Sequence, residues 1–600
     1  MTSDPPGPGE PETSDPEAPG TPAGFRRLLG LAPAGRIAVL RALLSGASAL
    51  DDLIRTSALP RRDVEDFLGA LAVSGEGAPP GAPGRRLLVP AARDQYGRLL
   101  DDYIASRPGV TQASRAYLQR AASDLVAGVP APRKRFDHVQ ATPETLVRRA
   151  EWLTENFALS GRSVVFTGDH DVTSLLLSRV VPDATLTVVD IDERLLAYID
   201  SHSVSGVHRG SAVRCVYADL RFGLPPALAG SADLVFTDPP YTPEGLGLFL
   251  TRSLAALRRD EPDTRIVIAY GHSRRRPDLG VAAQREIIRQ DVVIDGMLPA
   301  FNSYAGAQAV GSASDLYCCQ PTARAFRRLD YAAEHGSGGH GSGGHGPGGH
   351  GTGAAERGLG IYTHGEQSVE SGLSGDLADV LPDLLPVLGL APERLGVIFG
   401  DRAPAGKFAV TAGLGKLLDE GLHQSVTRRA DEILVDLRDD PGPWLLRAML
   451  ALNAPRSVFL VNRGHEALPD PRAATGPWSL AGAKFERISV SPAGSGNLTA
   501  VRCELPDGPG SGADPGTALI RYVLQRAHGK LRNVWREGLI AVSAQTGTAL
   551  TKREARDLVE SSTAELGETL ADHLLGLRLI DVPAAHFPAL HAGLRASAGT

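Results

Sequence analysis

Between Ser163 and Tyr270 short apolar runs alternate with amphipathic ones, and four of the apolar runs lead into an aspartate. Ser163–Thr167 opens onto Gly168-Asp169-His170-Asp171 and Thr185–Val189 onto Asp190-Ile191-Asp192-Glu193. Val213–Tyr217 opens onto Ala218-Asp219-Leu220-Arg221, and Asp233–Thr237 onto Asp238-Pro239-Pro240-Tyr241. Short apolar runs without polar alternation read as strands covered on both faces. The helical segments between them, Val172–Val180, Glu193–Ile199 and Gly245–Leu257, supply the crossovers of a parallel, doubly wound sheet. Arg265–Tyr270 extends that sheet, and Val292–Met297 and Asp315–Cys319 are expected as antiparallel edge strands. All four aspartates then share the carboxyl edge, where open α/β sheets bind ligands.

The two prolines after Asp238 cannot continue a strand, so the chain must turn there. The turn gathers the Asp238 carboxylate, the carbonyls of Pro239 and Pro240 and the ring of Tyr241. That set suits an amine that must be held, relieved of a proton and aimed at an electrophile. Asp238, Pro239, Pro240 and Tyr241 are therefore the candidate catalytic group. The four strand ends match the layout of class I S-adenosylmethionine-type folds. Gly168 and Asp169 would approach the amino-acid end of the donor, Asp190 its ribose hydroxyls and Asp219 its adenine amino group. Two acids in the first turn, Asp169 and Asp171, would repel a donor carboxylate by on the order of a few kcal/mol. They favour a cationic donor that lacks one. Asp171, Tyr241 and Glu244 are the candidates for holding the other ammonium groups of a polycationic acceptor. Residues 160–320 carry 15 Lys+Arg against 19 Asp+Glu, a balance that attracts a polycation.

Several of these segments together resemble the branched-chain polyamine synthases, also called N4-bis(aminopropyl)spermidine synthases. They are Gly168-Asp-His-Asp171 with Val172-Thr-Ser-Leu175, Val189-Asp-Ile-Asp-Glu-Arg-Leu195 and Thr237-Asp-Pro-Pro-Tyr-Thr242. Phe136-Asp-His138, Thr142-Pro-Glu-Thr145 and Ser314-Asp-Leu-Tyr317 add to the likeness, which covers roughly residues 25–330. The resemblance implies aminopropyl transfer from decarboxylated S-adenosylmethionine, as co-substrate, to a polyamine nitrogen, with release of methylthioadenosine and linear or branched product. It implies no resident cofactor and no metal. His170 fills a place where relatives more often carry another aspartate, and Tyr241 one where an acid is common. Both changes remove negative charge and bear on which polyamine is accepted. Asp-Pro-Pro-Tyr also resembles the motif of S-adenosylmethionine-dependent methyltransferases acting on exocyclic amines of nucleic acid. An acidic first turn and a negative catalytic domain disfavour that reading. A non-catalytic DNA-binding regulator that senses a polyamine or nucleoside is the third reading, disfavoured by the intact proline turn.

The expected fold is α/β in several parts. Residues 1–24 form a polar tail without large apolar side chains. Residues 25–130 are expected to form a winged-helix-like domain. Arg36–Leu44 would be one helix, Asp51–Thr56 and Pro60–Leu71 a helix–turn–helix pair, and Arg85–Pro90 with Tyr96–Leu100 the wing. That range has 14 Lys+Arg against 10 Asp+Glu. The surplus is small, so a packing or dimerisation module is favoured over nucleic-acid contact, and a homo-oligomer stays open. Residues 131–330 form the class I methyltransferase-like Rossmann domain and are expected, within 1–334, to suffice for the chemistry. Residues 331–357 form a Gly/Ser linker with His335, His340, His345 and His350 at a five-residue period, read as a repeat rather than a metal site. Residues 358–600 form a second α/β domain. Its segment 431–464 can be laid beside 233–272, which reads either as a degenerate Rossmann-like copy without the double proline and the tyrosine or as an unrelated α/β domain. The net charge of −7 excludes a protein that coats nucleic acid along its length. Four cysteines without a CxxC pair, a polar N-terminus and no run near the roughly 18 apolar residues of a membrane span point to the cytoplasm, with no membrane partner.

Overall fold

The computed structural model describes residues 19, 21–46, 48–71, 73–75, 85–107, 112–203, 212–261, 263–273, 275–306, 312–335, 359–364, 368, 377–400, 403–404, 406–466, 468, 476–494, 497–506, 514–547 and 549–599. The chain divides into two compact units, residues 1–117 with 148–162, and residues 118–147 with 163–600. Among the described residues no single helix is long and apolar enough to cross a membrane.

In the smaller unit, helices Pro22–Leu29, Ala34–Ser45, Leu50–Ser57 and Arg61–Ala70 surround a core that includes Phe25, Leu40, Leu53 and Val64. The first helix begins before residue 25. Thr21 accepts a hydrogen bond from the Gly24 N–H, and Pro22 fills the first helical position, so the helix starts inside the expected tail. Three short antiparallel strands, Ser48–Ala49, Val73–Gly75 and Arg85–Leu88, pair with Arg85–Leu88 in the middle. The expected wing strand Tyr96–Leu100 is instead helical, within Pro90–Ser106. Pro90 starts that helix, and Ala92, Tyr96, Leu100 and Tyr103 recur at helical spacing on its buried face, where Tyr96 stacks on Phe25.

The larger unit holds two mixed sheets. The first consists of β1 (Gln140–Ala141), β2 (Ser163–Thr167), β3 (Thr185–Asp190), β4 (Val213–Tyr217), β5 (Leu234–Thr237), β6 (Arg265–Tyr270), β7 (Val292–Ala305) and β8 (Ala313–Pro321). Its order is β1-β7-β8-β6-β5-β2-β3-β4. Strands β4 to β6 through β2 are parallel, and β8 runs antiparallel to both β6 and β7. This is the class I methyltransferase-like Rossmann arrangement, with one extra edge strand.

The second sheet consists of β9 (Leu395–Phe399), β10 (Val410–Gly413), β11 (Glu432–Asp436), β12 (Arg456–Asn462), β13 (Arg487–Pro492) and β14 (Leu498–Glu504), in the order β10-β9-β11-β12-β14-β13. It repeats β3-β2-β5-β6-β8-β7 strand for strand, with the same parallel and antiparallel pairings and, among the described residues, without a counterpart of β4. A short α-helical layer, Pro515–Leu524, Leu531–Thr546, Lys552–Ser562, Glu568–Gly576 and Phe587–Ala598, completes the chain.

One hydrophobic core joins the two sheets. It runs from Val165, Val216 and Ile268 through Leu220 and Trp444 to Val435, Phe459 and Ile580. The core of the first sheet is therefore shared with the second half of the chain, whereas the core around Phe25 and Leu40 lies wholly within the first. The first residues of the expected linker, 331–335, end the helix Ala323–His335, so the linker begins later. The rest of it, with His340, His345 and His350, lies outside the described residues.

Candidate active site

The carboxyl edge of the first sheet gathers the donor-side candidates. At the end of β2 the chain turns through Gly168, whose φ of 75° favours glycine. Asp169 then folds forward, and its carboxylate accepts from the main-chain N–H groups of Thr173 (2.9 Å) and Ser174 (3.1 Å), capping the next helix. Asp190, at the end of β3, accepts from the N–H of Asp192 (2.8 Å) and the N–H of Asp169 (3.2 Å). Asp169 and Asp190 are thus linked directly, and no cation pairs with either among the described residues. Burial without a counter-charge raises the Asp169 carboxyl to about 8 and that of Asp190 to about 7.

Neighbouring acids are treated differently by the fold. Asp171 accepts from the Ala141 N–H at 2.6 Å and so anchors the edge strand β1. Asp192 is desolvated, yet its bidentate pairing with Arg194 prevails and holds its carboxyl below the ordinary value. Asp219 departs from its expected role. Its oxygens receive the Arg221 N–H (3.0 Å), Nε (2.9 Å) and Nη2 (2.6 Å), and the indole Nε1 of Trp444 (2.8 Å). Four donors fill the acceptor capacity of a carboxylate. Asp219 ties the helix Trp444–Ala451 to the first sheet and has no acceptor site left for an adenine amino group. One turn along that helix, Arg447 ion-pairs with Glu193 and lies 3.9 Å from the ring centroid of Tyr217.

Above the donor turn the rings of His138 and His170 stack at 4.2 Å, and Phe136 packs on His138 at 5.3 Å. Desolvation lowers the proton affinity of both imidazoles. It is reinforced at His138 by repulsion from His170, and both imidazoles are shifted downward.

The amine side centres on Asp238. The Tyr304 hydroxyl donates to its Oδ2 at 2.7 Å, and the Tyr241 hydroxyl lies 3.4 Å from its Oδ1. Tyr304 is also 2.9 Å from the Ser314 hydroxyl, which accepts from Asn302 Nδ2 at 3.0 Å. Of the two proline carbonyls, that of Pro240 takes the Thr242 N–H (2.8 Å), whereas no donor reaches Pro239 among the described residues. Thr242 caps the helix Pro243–Ala256 through the Gly245 N–H. Gly245 is required there, since a Cβ would fall 2.8 Å from Pro240 Cβ and 3.0 Å from the Ile361 carbonyl. Tyr241 packs on Tyr270 at 5.3 Å and edge-on to Tyr304 at 6.5 Å. Glu244, in the first helical turn, bears on the same phenol: burial raises the proton affinity of Tyr270 and the Glu244 charge adds to it. The structure thus brings Asp238, Pro239, Pro240, Tyr241 and Glu244 together around three phenol rings.

Sequence reasoning missed Tyr304, Asn302, His138 and Trp444. Asn302 and Tyr304 share one face of β7 through the two-residue period, a signal hidden because the strand was expected to end at Met297. In the second sheet Asp436, at the end of β11, is closed by Arg438 Nε and Nη2 at 2.9 Å each, as Asp219 is by Arg221.

Asp169 and Asp190 make stability depend on pH. Both carboxyls titrate above their ordinary 3.8 in the folded chain. Their contribution is fully present below that value and is lost as pH rises through about 7 and about 8. The ligand-free protein is expected to lose melting temperature across that window, and Asp169→Asn to flatten the loss. Thermal melts over a pH series check this, and an unchanged slope in the variant counts against the assignment.

Residues 118–316 match the family model described as branched-chain polyamine synthase A C-terminal domain. An uncharacterized protein of Methanocaldococcus jannaschii is 36% identical over 178 residues, 30% of this chain and 43% of that protein. The N(4)-bis(aminopropyl)spermidine synthase of the same organism is 29% identical over 184 residues, 30% of this chain and 51% of that enzyme. The chain thus spans about half the length of the curated relatives it matches. Among solved structures, the branched-chain polyamine synthase of Thermus thermophilus in complex with N4-aminopropylspermidine and 5′-methylthioadenosine is 20% identical. The match has a TM-score of 0.29 and covers 48% of this chain and 87% of that one.

Proposed function

We propose, from the match of residues 118–316 to the branched-chain polyamine synthase family model and from the relatives that bear that activity, that this chain transfers an aminopropyl group from decarboxylated S-adenosylmethionine to a polyamine nitrogen. A neutral amine enters beside Tyr241 and gives a hydrogen bond to Asp238, while Pro239 offers a second acceptor. Its lone pair attacks the methylene carbon next to the sulfonium. The carbon–sulfur bond breaks, its electron pair stays on sulfur, and methylthioadenosine leaves as a neutral thioether. The new ammonium passes its proton to Asp238. Tyr304, whose hydroxyl donates to Oδ2 at 2.7 Å, holds the carboxylate aimed.

On the donor side, Asp190 takes the ribose hydroxyls and Asp169, beside Gly168, faces the ammonium group. Asp171 and Glu244, with the Tyr241 ring, receive the other charges of the acceptor. The first unit supports a winged-helix reading through its order of helix, strand, two helices and two strands.

The observation that carries the proposal is the buried Asp169–Asp190 pair, which no side-chain cation neutralises among the described residues. A ligand with an ammonium and a sulfonium brings two positive charges to the two acids, and an added carboxylate cancels one of them and meets repulsion there. Calorimetric titration with decarboxylated and ordinary S-adenosylmethionine tests this. The decarboxylated donor is expected to bind at least about tenfold tighter, equivalent to about 1.4 kcal/mol. Equal affinities would contradict the proposal.

A further inference from the structure

The segment Leu359–His364 lies against the carboxyl edge of the first sheet and is pinned at three places. Thr242 Oγ1 donates to the Ile361 carbonyl at 2.6 Å, and Arg221 Nη1 to the Leu359 carbonyl at 3.2 Å. Thr363 donates to Asp137 through its N–H (2.8 Å) and its hydroxyl (2.5 Å). The segment is therefore fixed at once to the amine turn, to the loop after β4 and to the entry segment before β1. Between these anchors sits Tyr362, only 4% exposed. The Arg221 guanidinium lies 5.3 Å from the centroid of its ring, and Phe136 packs on it at 6.0 Å. With His138 and His170 the rings form a row from the loop after β4 to the donor turn.

Two observations give this row a role beyond packing. Asp219, the acid at that end of the edge, is saturated by Arg221 and Trp444, so a purine there meets no available carboxylate. An aromatic surface is the recognition chemistry that remains. The match to the family model ends at residue 316, so Tyr362 comes from a part of the chain outside it.

We propose that Tyr362 is a specificity-determining residue for the donor: its ring is the wall against which the purine of the sulfonium nucleoside packs, so that the C-terminal half completes the donor site of its own chain. This rests on the donor assignment made above.

The test uses the full chain and its Tyr362→Ala, Tyr362→Leu and Tyr362→Phe variants. Methylthioadenosine binding is read by calorimetry, and initial rates are read with donor and acceptor varied separately. Tyr362→Ala is expected to weaken methylthioadenosine binding and to raise the donor KM by about tenfold, the scale of one aromatic–base stack. The acceptor KM should stay within about twofold. Tyr362→Phe should behave as the parent does, and Tyr362→Leu, which keeps apolar volume, as the alanine variant does, which covers an alanine variant that unfolds. Parental donor KM and nucleoside affinity in the alanine and leucine variants overturn the proposal, as does a phenylalanine variant as impaired as they are. If the parent binds methylthioadenosine without transferring aminopropyl groups and the alanine variant loses that binding, the wall stands and the transfer reading falls. Transfer by the parent with an unchanged donor KM in the variants gives the reverse.

Discussion

Asp238→Asn is expected to lower kcat by about a hundredfold or more while donor affinity stays within about twofold, the scale of losing a positioned proton acceptor. The carboxamide has the same size, so Pro239, Pro240 and Tyr241 can keep their places. It cannot take up a proton, and its NH2 group would turn a donor either toward Tyr304 or toward the incoming amine. The Tyr304 hydroxyl, now 2.7 Å from a carboxylate oxygen, would lose a charged partner. The split between turnover and donor binding is the diagnostic part. Asp169 and Asp190 follow β2 and β3, the next two strands along the edge from β5, and their carboxylates accept from main-chain N–H groups. Steady-state rates with saturating donor, together with direct nucleoside titration, separate the two effects. Parental turnover in the variant would remove Asp238 from the chemistry.

A chain ending at residue 334 is expected not to fold cooperatively. The cut removes Trp444 and Arg447, which are buried against Asp219, Tyr217 and Glu193, and it opens the shared core at Leu220. Loss of a buried tryptophan alone costs about 3–5 kcal/mol, comparable to much of the roughly 5–15 kcal/mol that holds a domain folded. Arg221 would remain beside Asp219 with its Tyr362 and Trp444 partners gone. In the full chain, Trp444→Ala should lower stability by about 3–5 kcal/mol in chemical denaturation. A soluble 1–334 fragment with a sharp unfolding transition and parental turnover would refute this dependence on the second half.

The parallel part of the first sheet was legible because four of its strands are short apolar runs that lead into an aspartate, and three of the connections have a helical period. The amine turn was legible for the same reason, since Pro239 and Pro240 leave the backbone few options. The wing was misread because Tyr96–Leu100 is apolar enough for either period, and Pro90, which starts a helix, was the deciding residue. Asp219 was misread because pairing with Arg221 depends on side-chain geometry, and the Trp444 indole is 225 positions away. An aspartate two residues before an arginine, with a leucine between, recurs at Asp436-Leu437-Arg438, where the same closure occurs. That spacing marks an acid that is neutralised and not poised for a ligand. The spacing of 431–464 against 233–272 suggested a degenerate copy but left an unrelated α/β domain open, and the repeated sheet order became visible only in the strand pairing. That no counterpart of β4 occurs among the described residues, and that one core is shared by the two sheets, became visible only in the strand pairing and packing.

The most direct measurement is mass spectrometry of the products formed by the full chain from decarboxylated S-adenosylmethionine and a panel of linear polyamines. The account predicts methylthioadenosine together with a polyamine heavier by one or more aminopropyl units, formed only with the decarboxylated donor. Intact polyamines after incubation, or products carrying a methyl group from ordinary S-adenosylmethionine, would contradict it.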